Sequence, residues 1–133
     1  KLSDERQKGF DMSYDDQNIF AKILRGEIPC DKVFEDDHCL AFNDISPQAP
    51  THVLVIPKGP YVSFDDFHAN ATDAEIVGFV RGVGTVARMC GIADDGYRIL
   101  SNIGTNGFQE VPHLHVHVVG GRHMGRMLSK PRD

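Results

Sequence analysis

The sequence predicts an α+β fold, in which a mostly antiparallel sheet of five strands is accompanied by one short and one long helix. Two observations carry this prediction. The strand-like segments follow one another through short turns, and the two helical segments stand apart from them in the chain. With 133 residues, the chain has the length of a single domain. Residues 1–14 are polar and lack periodicity, as in a flexible tail, so we expect the domain to span residues 15–133.

The short helix is predicted by the segment NIFAKILRGEIP. Asn18 is a residue type that caps helix N-termini, and Gly26 followed by Pro29 is a typical end. The long helix is predicted over TDAEIVGFVRGVGTVARMCG, where Thr72 and Glu75 have the spacing of a capping box and apolar residues recur at helical intervals.

Three glycines, Gly78, Gly82 and Gly84, lie inside the long helix. Each costs about 1 kcal/mol relative to alanine in a helix interior. Gly78 and Gly82 are four residues apart and share one helix face. We therefore expect another backbone, that of a second copy of the chain, to approach the helix there.

Four segments predict the five strands. KVFEDDHCLAFND predicts a hairpin that turns at Asp36 and Asp37, and HVLVIP a strand covered on both faces. YRILSN predicts a fourth strand. The last segment, VPHLHVHVV at 111–119, alternates histidines with apolar residues. This pattern places Leu114, Val116 and Val118 on one face and three imidazoles on the other.

Composition narrows the class of protein. The net charge is −5, and Lys and Arg form no run longer than two, which argues against nucleic acid as a partner. No apolar stretch approaches the roughly 20 residues that span a bilayer, so we expect no membrane partner. The three isolated cysteines, Cys30, Cys39 and Cys90, suit a reducing compartment, and we expect a cytoplasmic protein.

Three interpretations fit the histidine row His113, His115 and His117. The row could be an edge strand with surface histidines that have no function, a metal site, or a site of covalent catalysis. A catalytic zinc site needs three ligands and nearby carboxylates, whereas Glu110 is the only acid beside the row. A neutral imidazole is nucleophilic at physiological pH and attacks phosphorus well. The glycine-containing loop at 104–107 can present N–H groups to phosphate oxygens. The row therefore favours phosphorus chemistry.

The histidine row followed by GGR at 120–122 resembles the histidine triad (HIT) superfamily. Three longer segments extend the resemblance to its Hint branch, the histidine triad nucleotide-binding proteins: IFAKILRGEIP, VFEDDHCLAFNDISPQAPTHVLVIPK and GYRILSNIGTNGFQEVPHLHVHVVGGRHM. The resemblance runs from about residue 15 to about residue 124. It implies a homodimer whose two sheets join into one, and a purine nucleoside phosphoramidase that splits adenosine 5′-phosphoramidates into AMP and an amine.

The resemblance also implies roles for four histidines. His115 would be the nucleophile that carries the nucleotidyl group, and His117 would lie beside the leaving group. His113 would orient His115 through its carbonyl oxygen. His52 matches a fourth family histidine behind the triad.

Nucleotide contacts are implied in the same way. Asp44 matches the carboxylate that binds both ribose hydroxyls, although without the resemblance an Asp beside Ser46 and Pro47 would more often be a turn cap. The resemblance places the purine in an apolar slot formed by Ile45, Ile19, Phe20, Ile23, Ile28 and Phe42. It places Asn102, Phe108, Gln109 and Glu110 around the α-phosphate.

The chain departs from the family pattern at three places. Glu110 replaces a serine that donates to the phosphate in animal members, so we expect only its backbone N–H to take part. The C-terminal segment GRMLSKPRD lacks their tryptophan. The segment NIFA stands where some relatives have a zinc-binding Cys-x-x-Cys, so we expect no metal and no cofactor. Three alternatives stay open: a nucleotide-binding regulatory module, a dinucleoside polyphosphate hydrolase and a metal hydrolase.

Overall fold

The computed structural model describes residues 13–129, in which one five-stranded sheet carries helices on both faces. The strands are β1 (Lys32–Glu35), β2 (Cys39–Asn43), β3 (Thr51–Pro57), β4 (Tyr97–Leu100) and β5 (Val116–Gly120). The helices are α1 (Ile19–Leu24), α2 (Phe64–Asn70) and α3 (Asp73–Met89). The strand order is β1-β2-β3-β5-β4, and every neighbouring pair is antiparallel. The predicted fold class is confirmed. The pairing of two such sheets in a homodimer remains a prediction.

Helix α2 is the element that the sequence analysis missed, so the described chain has two short helices and a long one. Ser63 caps α2 by accepting a hydrogen bond from the backbone N–H of Asp66, and two aspartates occupy its first turn. This segment has 7 residues, which is too few for its apolar positions to show a helical period. The capping box of α3 is present as predicted, with Thr72 and Glu75 bonded reciprocally.

The long helix α3 packs against its own sheet. A Cβ added at Gly82 would lie 2.5 Å from Sγ of Cys39, and one at Gly78 would overlap the ring of His38. The expectation that these two glycines admit a second copy of the chain is therefore wrong, because the side chains of His38 and Cys39 of the same molecule occupy the space. Only Gly84, of the three, has open space beside it.

The two faces of the sheet bury two separate apolar clusters. Helices α2 and α3 cover one face, where Val53, Val55, Val116 and Val118 contribute to the larger cluster. On the other face, α1 contributes Phe20 to a smaller cluster. That cluster lies over β2 and β3. The part of the same face formed by β5 and β4 carries the polar side chains His117 and Arg98 beside Val119 and Leu100.

The N-terminal boundary lies earlier than predicted. Tyr14, which the sequence analysis placed in the tail, donates its hydroxyl to His113 across a distance of 2.6 Å. Residues 1–12 of the predicted tail and the last four residues of the sequence lie outside the described chain. None of the helices within residues 13–129 has both the length and the apolar character of a membrane-spanning segment.

Candidate functional site

The histidine row enters the sheet later than its alternating pattern predicted. Strand β5 begins at Val116, so His113 and His115 precede it. The ladder with β3 ends where Val55 pairs with Val116. Beyond that point the N–H of Leu114 donates to the carbonyl of Tyr61, and Pro57 has no N–H to continue the pairing. The burial pattern is as predicted: Leu114, Val116 and Val118 lie in the core.

His115 is held so that one ring nitrogen stays free. Its Nδ1 lies 2.8 Å from the carbonyl oxygen of His113. A carbonyl only accepts, so Nδ1 carries the proton and Nε2 keeps its lone pair. The edge of the Phe20 ring packs against the imidazole with centroids 4.9 Å apart. Ser101 fixes the backbone by donating its hydroxyl to the His115 carbonyl at 2.8 Å. The result is a neutral imidazole that can act as a nucleophile or a base.

His113 is fully buried and has a partner at both nitrogens. Nε2 lies 3.0 Å from the carbonyl oxygen of Pro57 and must donate to it. Nδ1 is then an acceptor, and it receives the hydroxyl of Tyr14. This residue therefore connects the end of β3, the segment before α1 and the ring of His115.

His52 and His117 form a second hydrogen-bonded pair. The backbone N–H of Gln48 donates to Nδ1 of His52 at 3.0 Å, so Nε2 of His52 carries the proton. This Nε2 lies 2.9 Å from Nδ1 of His117 and donates to it. The remaining proton of His117 is consequently on its Nε2, on the side away from His52.

Burial keeps the histidine row neutral. It lowers the pKa of His113 to about 4, against a weaker opposing effect of the Pro57 carbonyl. Burial, together with neighbouring His115 and His52, lowers the pKa of His117 to about 4. The pKa of His115 is also lowered by burial, while its bond to the His113 carbonyl and the negative charges of Asp44 and Glu110 act in the opposite direction. Unprotonated rings are the form that a nucleophile requires.

Asp44, His52 and His117 place one ligand atom each within 4.8 Å of one another, which is the arrangement of a possible metal site. The hydrogen bonds oppose this use. A cation would need the lone pair of His52 Nε2, yet the Gln48 N–H fixes the proton on that atom. If the proton moved to Nδ1 to free this lone pair, the Nδ1–H of His52 would face the N–H of Gln48. The donor atoms are suitable for zinc, but their protonation is not, and the absence of a metal stays our prediction.

Asp44 has the turn-capping role that the sequence left open, and its binding of the ribose hydroxyls stays a prediction. Its Oδ1 caps the turn by accepting the backbone N–H of Ser46 at 2.7 Å, and its Oδ2 lies 3.4 Å from Nε2 of His52. Each carboxylate oxygen has further acceptor capacity. Ile45 beside it is 97% exposed, so an apolar side chain stands open next to a buried polar centre.

The other apolar residues assigned to the purine differ in exposure. Phe20 and Phe42 are buried in the smaller cluster, and Ile23 packs against it. Ile19 is 44% exposed, and Ile28 is partly exposed. The set thus includes both core residues and open side chains.

The loop before the histidine row is braced by Gln109. Its side-chain amide donates to the carbonyls of Val62 and Val111 and accepts the N–H of Gly104, so it closes the loop instead of pointing freely at a ligand. Phe108 adopts a positive φ of 58° and is 74% exposed. Glu110 is exposed, and Asn102 lines a cavity of about 370 Å³ together with His52 and His117.

A family model described as the HIT domain matches residues 25–124. The chain belongs to the HIT domain family. It is 64% identical over 118 residues to an uncharacterized HIT-like protein of Azospirillum brasilense, covering 89% of this chain and 97% of that one. It is 45% identical over 114 residues to the purine nucleoside phosphoramidase of Escherichia coli, covering 86% and 95%. A solved HIT family hydrolase of Clostridium thermocellum superposes with a TM-score of 0.78 at 36% identity, over 86% and 99% of the two chains.

Sequence reasoning missed four of the contributors to the site of this HIT protein. Tyr14 could have been suspected as an isolated aromatic residue shortly before the helix cap Asn18. The carbonyl of Pro57 and the N–H of Gln48 are backbone groups, and no residue type at those positions announces them. Arg98 also lines the cavity beside His117, although the sequence presents it only as an ordinary strand residue.

Proposed function

We propose that the protein is a purine nucleoside phosphoramidase that cleaves the P–N bond of adenosine 5′-phosphoramidates by way of a nucleotidyl-histidine. The observation that carries the proposal is the bond from His115 Nδ1–H to the His113 carbonyl, which leaves the Nε2 lone pair of a neutral ring free. The 45% identity to a protein named purine nucleoside phosphoramidase supports this choice among hydrolases.

The reaction proceeds in two displacements at phosphorus. His115 Nε2 attacks the α-phosphorus, and the P–N bond breaks with its electron pair staying on the leaving nitrogen, which takes up a proton from solvent. Water then attacks the same phosphorus and loses a proton to solvent, while the P–Nε2 bond breaks, its electron pair returns to Nε2 and AMP is released. His117 hydrogen-bonds the departing nitrogen through Nε2–H, because His52 occupies its other nitrogen.

The remaining residues bind the nucleotide. Asp44 accepts the ribose hydroxyls, since its oxygens keep unused acceptor positions near the histidines. Ile45 and Ile19 present apolar side chains to the purine, and Phe20 and Phe42 form the floor behind them. Asn102 and the loop at 108–110 surround the phosphate, with the backbone N–H of Glu110 as a donor.

The protein acts as a homodimer built on the face opposite the histidines. Phe64, Val80, Tyr97 and Ile99 lie around an apolar cavity of about 420 Å³ on that face, and each is exposed. Strand β4 is the edge of the sheet, so its outer N–H and C=O groups have no strand beside them. An edge strand next to an open apolar surface is the arrangement that pairs with a second copy.

The test is hydrolysis of an adenosine 5′-phosphoramidate with a simple alkylamine by the wild type, His115→Ala and the matched control His38→Ala. We expect His115→Ala to lose at least about three orders of magnitude in kcat while still binding AMP, because only the nucleophile is removed. His38 lies on the β1–β2 turn, and its substitution should leave the rate unchanged. Excess EDTA should also leave it unchanged. Comparable turnover by His115→Ala would overturn the proposal, as would faster hydrolysis of diadenosine tetraphosphate than of any phosphoramidate.

A further inference from the structure

The cavity beside His117 carries two guanidinium groups. It has a volume of about 370 Å³, and Arg98, Arg122, Asn102 and Met124 line it together with His52 and His117. On the nucleophile side of His117 lies His115, with ring centroids 5.3 Å apart. The cavity therefore adjoins the histidine row at His117, the residue that contacts the departing nitrogen in the proposed reaction.

The sheet register explains why Arg98 faces this cavity. Leu100 of β4 pairs with His117 of β5, and Arg98 pairs with Val119. Side chains two residues apart on a strand share a face, so Arg98 and His117 project on the same side as diagonal neighbours. Side chains in that relation start about 7–8 Å apart, and a guanidinium on its long stem spans such a distance. Arg122 enters from the segment that follows β5.

Within residues 13–129, neither guanidinium has a carboxylate partner. Arg98 donates to the carbonyls of Gly125 at 2.7 Å and Arg126 at 3.3 Å, and Arg122 donates to those of Gln48 and His123, both at 3.0 Å. The ion pairs found within residues 13–129 involve other residues. Carbonyls orient a guanidinium without cancelling its charge, and each group has five N–H donors, of which two are used. Two guanidinium groups with no acidic partner in the described part of the chain thus line one cavity of a protein whose net charge is −5.

We propose that this cavity, the Arg98/Arg122 subsite, binds an oxyanion on the leaving group. The preferred phosphoramidate is then one whose amine also carries a carboxylate or a phosphate. The planar guanidinium fork matches both oxyanions and binds them with charge-assisted hydrogen bonds. This inference rests on the proposed function and deepens it. The bond changes are unaltered: the P–N bond breaks, the nitrogen takes one proton, and the amine leaves with its oxyanion unchanged.

The arginines have one other possible use, which is to bind the α-phosphate itself. That use predicts a different result. Loss of an arginine would slow every phosphoramidate equally, whereas loss of a leaving-group contact slows only the substrates that carry the oxyanion. The ratio of two substrates, measured on one preparation, separates these cases and does not depend on the fraction of folded enzyme.

The experiment compares three adenosine 5′-phosphoramidates, those of β-alanine, of β-alaninamide and of O-phosphoethanolamine. The first two differ only in the charge of the terminal group, and the third tests a phosphate. The enzymes are the wild type, Arg98→Gln, Arg122→Gln, the double variant, and Arg98→Lys, which retains a charge. Arg81→Gln, an exposed arginine on α3, is the matched control.

We expect the wild type to prefer the β-alanine over the β-alaninamide substrate by at least about tenfold in kcat/KM. The double variant should bring this ratio close to one, Arg98→Lys should retain part of it, and Arg81→Gln should retain all of it. A stronger preference for the phosphate substrate would identify phosphate as the oxyanion. A wild-type ratio near one for both anionic substrates, or an unchanged ratio in the double variant, would overturn the subsite and leave the proposed function standing. Failure to hydrolyse any of the three would overturn both.

Discussion

At the scale of single residues, the four histidines of the site differ in the group that fixes the position of the ring proton. A backbone carbonyl fixes His115, a carbonyl and a phenol fix His113, and the N–H of Gln48 fixes His52 and, through it, His117. Each assignment follows because a carbonyl can only accept and an N–H can only donate. The protonation of the row is therefore set by backbone positions, which change less easily than side chains.

Tyr14→Phe tests how far this arrangement depends on the phenol. The substitution leaves the buried Nδ1 of His113 without a donor, and such a loss costs about 1–3 kcal/mol. We expect kcat to fall by about tenfold with little change in KM, because the orientation of His115 changes and the nucleotide contacts do not. The ¹⁵N shifts of the His113 ring should change as well.

Tyr61→Phe is the matched control, since it removes a hydroxyl that is bonded to Glu75, far from the histidines. An unchanged kcat and unchanged ring shifts in Tyr14→Phe would show that the phenol only fills space.

The lowered pKa values of His113 and His117, both about 4, predict how folding depends on pH. Unfolded histidine has a pKa near 6.5. Between about pH 6.5 and 4 the unfolded chain binds protons that the folded chain does not, so stability is fully present above pH 6.5 and is lost as the pH falls through that window. Each of these two histidines adds up to about 1.4 kcal/mol per pH unit to the slope of the free energy of unfolding against pH.

Urea unfolding at pH 7.0, 6.0 and 5.0 measures this effect, because carboxylates stay largely ionised over that range. We expect the free energy of unfolding to decrease at each step. Equal values at the three pH values would mean that the folded histidines titrate normally.

At the scale of secondary-structure elements, the close packing of α3 on β2 explains why two glycines are tolerated in a long helix. Gly82→Ala places a methyl group 2.5 Å from Sγ of Cys39. Overpacking of this kind costs about 1–3 kcal/mol. We expect Gly82→Ala to lower the melting temperature, and the double variant Gly82→Ala/Cys39→Ala to recover part of the loss because the sulfur is gone.

A double-mutant cycle measured by thermal unfolding checks this prediction, with Cys39→Ala alone as its third corner. Simple additivity of the two substitutions would contradict the proposed contact, since a shared contact requires a coupling between them.

Much of this organisation could be predicted from the sequence. The capping box at Thr72 and the alternation of Leu114, Val116 and Val118 depend on local spacing, which the sequence displays directly. Helix α2 and the late start of β5 could not be predicted, because they depend on a single turn and on where the partner strand ends at Pro57. The residue that Gly82 faces was also misassigned. The spacing of the glycines shows that another group approaches the helix, but only the fold shows that this group, Cys39, belongs to the same chain.

At the scale of the whole molecule, the two faces of the sheet have different roles. One carries the histidines, and the other carries the apolar surface around Val80 and Ile99 that we assign to a second copy. We expect Val80→Asp to convert a wild-type dimer into a monomer, because a carboxylate would be buried in an apolar contact without a partner.

Sedimentation equilibrium at micromolar concentration measures the change. Thr85→Asp, on the same helix but outside the apolar surface, is the control and should remain a dimer. A wild type that sediments as a monomer of 14.8 kDa would contradict the assignment.

The central claim is that His115 carries the nucleotidyl group during the reaction, and trapping that intermediate tests it most directly. The enzyme is mixed with an adenosine 5′-phosphoramidate, quenched within milliseconds under alkaline denaturing conditions, in which a phospho-imidazole survives, and mapped by peptide mass spectrometry. We predict an adenylyl group on His115, located by fragmentation of the peptide that carries all three histidines of the row, absent from His115→Ala and discharged when the quench is delayed beyond substrate depletion. Turnover with no covalent adduct at any time point, or an adduct on His113 or His117, would contradict the account.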